Sequence, residues 1–200
     1  GSSQNIYGGG GSGGGIYITC PAIDGSGMIS ANGGDGAGNL GGGGGGGRIA
    51  IVATSTNSFQ GIVIAAGGGG ANRGGAGTVF LQTGNTSQLI LDNAGHAGTN
   101  TPVQSRSSAG LVIRNGAVGT ANYSAAFASL SISSNAWLAV GGPNFYGSLN
   151  VTINGNASIQ SGGGIFADAA GNGSGNSSGK YYSFVPYPCG GGGHGGAGGN

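Results

Sequence analysis

A chain of 200 residues suits one domain, but 54 of these are glycine, only 4% are charged, and glutamate is absent. Average proteins carry roughly 7% glycine and about 25% charged residues, so the surface here must be made of Asn, Ser, Thr, Gln and bare backbone. A formal net charge of +1 sets up no long-range field and excludes nucleic acid and acidic lipid as partners, and no apolar run approaches the ~20 residues of a membrane span.

The chain opens on Gly1 rather than Met, the mark of a processed protein or of a piece of a longer one. Glycine-rich stretches fall at 8–15, 33–47 and 67–77, and again at 162–164 and 190–199. Each of the first three leads into a short apolar run: IYIT from Ile16, IAIV from Ile49 and VFLQ from Val79, with starts 33 and 30 residues apart. GMISANGG (27–34) and GIVIAAGGG (61–69) then lead back into glycine. The repeating unit is therefore glycine run, strand, turn, strand, glycine run.

Beyond Gly84 the period shortens. LILDN, LVIRN, LSISSN and LNVTIN start at Leu89, Leu111, Leu130 and Leu149, which are 22, 19 and 19 residues apart. Each closes on Asn, a residue that tolerates the left-handed corner of a tight turn. Units of ~20 residues are too small to bury their own faces and predict a stack of parallel rungs. The predicted fold is all-β, a parallel β-solenoid-like stack with polyglycine II segments; a β-sandwich is the rival arrangement. Residues 1–84 form a glycine-rich strand and polyglycine module, 85–170 the rungs, and 171–200 a glycine-rich C-terminal segment, all read as one continuous domain. The only helix candidate is 120–130 (TANYSAAFASL), which reads equally as a loop.

The glycine runs are either flexible linkers or ordered bundles. Ordering glycine costs more than ordering any other residue, so an ordered run needs partners, and polyproline-II geometry with glycine at every contact supplies them. Gly8, Gly44, Gly192 and Gly195 mark the runs expected to pair, within one copy or between copies. The strings SGGGIYIT, GSGMISANGGDGAG, GGGGGGGRIAIVA, FQGIVIAAGG and RGGAGTVFLQ resemble the glycine-rich repeats of very large secreted bacterial surface proteins. The resemblance covers about 12–83, and more loosely GGGGHGGAGGN at the end. It implies a surface-exposed, β-solenoid-like, adhesive or fibrous role and brings no catalytic residue. Some phage tail-tip adhesins and insect antifreeze proteins are similar in composition only.

Chemistry-bearing residues are few. Asp24, Asp35, Asp92 and Asp168 form no local carboxylate pair of the kind that glycoside hydrolysis needs. Asp92 and Arg114 lie on neighbouring predicted rungs and read as a cross-rung ion pair. Asp35 in GGDGAGNLG resembles a Ca²⁺-binding nonapeptide but stands alone. His96 and His194, with distant cysteines, lack zinc spacing. No cofactor or metal is implied. Cys20 and Cys189, the only cysteines, predict one disulfide in an oxidising compartment, two buried thiols being the other reading. Six glycosylation sequons begin at Asn85, Asn122, Asn150, Asn156, Asn172 and Asn176. Tyr181, Tyr182, Phe184 and Tyr187 form an aromatic cluster that either caps the stack or meets a partner or sugar. The composition as a whole predicts a non-catalytic extracellular structural protein, part of a fibre or cell-surface adhesin that partners copies of itself head to tail. A glycan- or ice-binding module is the alternative, and a polysaccharide-active enzyme a weaker one; sparse Thr speaks against ice.

Overall fold

The computed structural model describes residues 8–38, 40–121, 124–140, 149–168 and 170. Among them there is no helix, and fourteen strands form three sheets. The largest sheet contains β1 (Gly15–Gly25), β3 (Arg48–Phe59), β5 (Thr78–Thr83), β6 (Thr86–Asp92), β8 (Arg106–Arg114), β10 (Ser124–Ile132) and β12 (Asn150–Ile153), in that order. A short β13 (Ala157–Ile159) also pairs with β10. A second sheet joins β7 (Thr101–Pro102), β9 (Val118–Ala121), β11 (Trp137–Val140) and β14 (Gly164–Phe166), and a third joins β2 (Met28–Ser30) to β4 (Ile62–Ile64). Every pairing is parallel except β5 with β6.

The predicted strands start where the glycine runs end because β-branched and aromatic residues fit a pleated, half-buried surface. Ile16 pairs with Ile49, and Ile49 with Val79, so the three similar runs lie side by side in register. The helix candidate is overturned. Residues 118–121 and 124–132 are strands, and within 124–132 Ala125, Phe127, Leu130 and Ile132 are buried. Pairing with β8 and β12 overrides the helical propensity of the alanines.

The one antiparallel junction decides the architecture. Thr83–Gly84–Asn85–Thr86 is a two-residue hairpin loop, with Thr83 facing Thr86 and Gly84 at φ 54°. It reverses strand direction midway along the sheet. If parallel crossovers keep one hand, the crossing segments must then change to the other face of the sheet. The burial pattern agrees. Ile49, Val79 and Ile90 share one face by register and belong to a core with Ala31 and Ala65. Leu91, Leu111, Ile113, Leu130 and Ile132 occupy the opposite face and pack with Val103, Ala117, Ala136 and Leu138 of the second layer. One continuous sheet therefore carries two cores on opposite sides, with β6 contributing to both.

Corners differ from expectation in detail. Asn115 and Asn135 sit at φ 54° and 56°, in the left-handed region expected of them. At LILDN, however, Ala94 and Gly95 take positive φ, at 54° and 85°, and Asn93 turns inward. Leu111 pairs with Leu130 and Ile113 with Ile132, as equal rungs should. The run from Leu149 does not continue this row: Val151 faces Ala125, and Ala157 is the residue opposite Leu130. The nine-residue β10 holds β12 on its first half and β13 on its second.

Candidate functional site

Around the glycine runs, side chains give way to backbone. Gly43 and Gly46 donate to the carbonyls of Asn72 and Gly75, Gly44 and Gly47 donate to those of Gly34 and Ala31, and the Gly42 and Gly45 carbonyls accept from Gly10 and Gly13. All six bonds are 2.7–2.9 Å long, and each direction recurs every third residue. Gly41, Gly44 and Gly47 are buried with the same spacing. Such a period belongs neither to a strand, which repeats every two residues, nor to an α-helix at 3.6. Gly8, at the start of this network, accepts from Ala37. Many of the glycines are obligatory: a Cβ on Gly44 would lie 2.0 Å from the Gly11 oxygen, and one on Gly68 2.1 Å from the Gly34 oxygen.

Asn93 closes this network. It is 1% exposed, its Oδ1 accepts the Gly67 N–H at 2.8 Å, and its Nδ2 donates to the His96 carbonyl at 2.8 Å. The side-chain amide thus stands in for one more peptide group where the glycine layers end. Asn32 acts similarly, accepting the Ala66 N–H at 2.7 Å. Sequence reasoning missed both because their partners lie 26 and 34 residues away.

The expected ion pair is present: Asp92 Oδ2 meets Arg114 Nε at 2.8 Å and also accepts from Asn115 Nδ2. Asp35 Oδ1 instead accepts the Gly69 N–H, and no three His, Cys, Asp or Glu side chains gather among the described residues. Asn85, Asn150 and Asn156 are exposed. Asn122, Asn172 and Asn176 lie outside the described residues, as do Gly192, Gly195, Tyr181, Tyr182, Phe184 and Tyr187. Cys20 is a half-buried residue of β1, and its expected partner Cys189 also lies outside. No described helix is long and apolar enough to cross a membrane.

Three surface features remain. The first is the free side of β1, which pairs only with β3 among the described strands. The second and third are grooves on opposite faces of the largest sheet. One, of about 570 Å³, runs past Asn57, Phe59, Leu81, Gln88, Ser108 and Ser129 and has no charged residue in its walls. The other, of about 220 Å³, lies on the opposite face between Phe80, Leu89, Pro102 and Gln104, with Arg48 and Arg106 at its sides. Comparison of the chain with protein-family models, curated proteins and solved structures gave no match.

Proposed function

We propose that this chain is a non-catalytic extracellular structural protein, a subunit or repeat of a fibre or cell-surface adhesin that stacks on copies of itself. The observation that carries this reading is the free side of β1. An unpaired strand edge templates another chain unless it is guarded by charge, proline or a bulge. In β1 the guards come late: Pro21, the register shift between Cys20 and Ala22, and Asp24 all lie in its second half. Residues 15–20 have no such guard and continue directly from the hydrogen-bonded run at 8–14. The period of three in those glycines is the one expected of polyglycine II packing, and the parallel alignment of Leu89, Leu111 and Leu130 supports a solenoid-like stack over those three rungs. In this reading the C-terminal glycines, Gly192 and Gly195 among them, pair with the run at Gly8 of the next copy. Such a contact propagates without closing. A Cys20–Cys189 disulfide and an extracellular or cell-surface location complete the proposal.

The Arg48 N–H donates to the Gly14 carbonyl on the opposite side of β1, which turns the peptide groups of Gly14 and Ile16 toward β3 and those of Gly15 and Tyr17 outward. Tyr17→Pro therefore removes an outward N–H while sparing the ladder to β3. Light scattering and electron microscopy of the purified chain should show filaments whose growth is little affected by salt, and Tyr17→Pro should stop growth without unfolding the protein. A wild-type chain that stays monomeric at high concentration would refute the proposal. A second reading, a glycan-binding module, is favoured by the uncharged groove: amides, hydroxyls and the Phe59 ring along its walls suit a neutral sugar chain.

A further inference from the structure

The smaller groove differs from the first in one respect that matters chemically: it is cationic. Arg48 comes from β3 and Arg106 from β8, so they reach it from opposite sides of β5. Among the described residues neither forms an ion pair, whereas Arg114 is held by Asp92, and Arg73 donates to the Gly67 carbonyl close to Asp35. In a chain with four carboxylate side chains, none lines this groove. Arg106 is also pre-positioned. Its Cζ lies 4.5 Å from the centroid of the Phe80 ring. Stacking uses the face of a guanidinium and leaves the N–H groups on its edge to form hydrogen bonds. The rest of the lining mixes apolar Leu89 and Pro102 with the Thr78 hydroxyl and the Gln104 amide. These match the C–H face and the hydroxyls of a sugar ring, and the guanidinium forks match an oxyanion.

We propose that this groove binds an acidic saccharide, a sugar ring carrying a carboxylate or a sulfate. At about 220 Å³ it is smaller than a drug-sized pocket of ~300–1,000 Å³, which restricts it to one ring of a longer chain. The site is separate from the free side of β1 and from the uncharged groove, so it does not depend on assembly.

Calorimetric titration of the whole chain tests it, with a galacturonate trimer, a sulfated galactose oligomer and a neutral galactose trimer as probes. At least one acidic oligomer should bind about tenfold more tightly than the neutral one, and which of the two acidic probes binds identifies the oxyanion. Arg48→Gln and Arg106→Gln should each weaken that binding about tenfold, the effect of losing one hydrogen bond to a charged group. Both arginines are exposed, so neither change threatens the fold, and raising salt should weaken binding in the wild type. Equal affinity for neutral and acidic probes would overturn the proposal, as would unchanged affinity in both variants or no binding of either acidic oligomer. An acidic peptide that binds as tightly as galacturonate would also overturn it, by showing a patch that reads charge alone.

Discussion

Gly44 and Gly45 are adjacent, chemically identical and predicted to respond oppositely to the same added methyl group. At Gly44 a Cβ would lie 2.0 Å from the Gly11 oxygen and 2.5 Å from its carbonyl carbon. Ordinary contact begins at 3.4 Å, so the neighbouring segment must retreat by 3.4 − 2.0 = 1.4 Å. A retreat of that size takes the 2.9 Å bonds from Gly10 to Gly42 and from Gly13 to Gly45 beyond hydrogen-bonding range. Two lost bonds at about 1 kcal/mol each, with about 1–3 kcal/mol of overpacking, make Gly44→Ala destabilising by about 3–5 kcal/mol. At Gly45 the nearest atom to a Cβ is the Gly75 oxygen at 3.9 Å. Gly45→Ala should be neutral or stabilising by about 0.4–1 kcal/mol, because alanine restricts the unfolded chain. Denaturant titration of the pair should show midpoints displaced in opposite directions from the wild type. Two variants of equal stability would show that these segments are not packed as described.

Further outcomes follow from single residues. Asn93→Ala strands the buried Gly67 N–H and should cost about 3 kcal/mol, read as a lower urea midpoint at unchanged slope; a loss under about 0.5 kcal/mol would contradict its role. Ala94, an alanine at φ 54° where two sister corners use asparagine, should gain about 1 kcal/mol as Ala94→Asn, seen as a rise in Tm. Leu111 is fully buried, and Leu111→Ala should cost about 2–5 kcal/mol by calorimetry. If Cys20 and Cys189 are bridged, alkylation will find two more thiols after reduction than before. The closed loop then contributes about 5 kcal/mol in the chain-entropy model.

Local features were legible in the sequence to the extent that their causes were local. Ile16, Ile49 and Val79 announced strands and a common register because each follows glycine and starts an apolar run. The Asp92–Arg114 pair was visible because it joins equivalent rungs. Features that depend on the identity of a distant partner were not. The Ser- and Ala-rich run from Ser124 to Ser129 looked non-committal until β8 and β12 lay on either side, and its added length shifted the expected place of Leu149. Gly84–Asn85 is a recognisable hairpin signal, yet nothing nearby says that the covering layer must change face beyond it. The residues of each groove are drawn from four or more strands, so they could not be grouped from spacing alone.

The glycine layers have a thermodynamic consequence of their own. Unfolding normally raises heat capacity because it exposes apolar surface, while exposing peptide groups lowers it. Where Gly10, Gly34, Gly44 and Gly68 meet, folding removes mostly peptide surface from water. This part of the chain should therefore show a heat-capacity change well below the usual ~12–15 cal/mol/K per residue. A small heat-capacity change flattens the dependence of stability on temperature, and the cold limit of the folded state moves down with it. Stability that rests on backbone hydrogen bonds loses little when cooling weakens the hydrophobic effect.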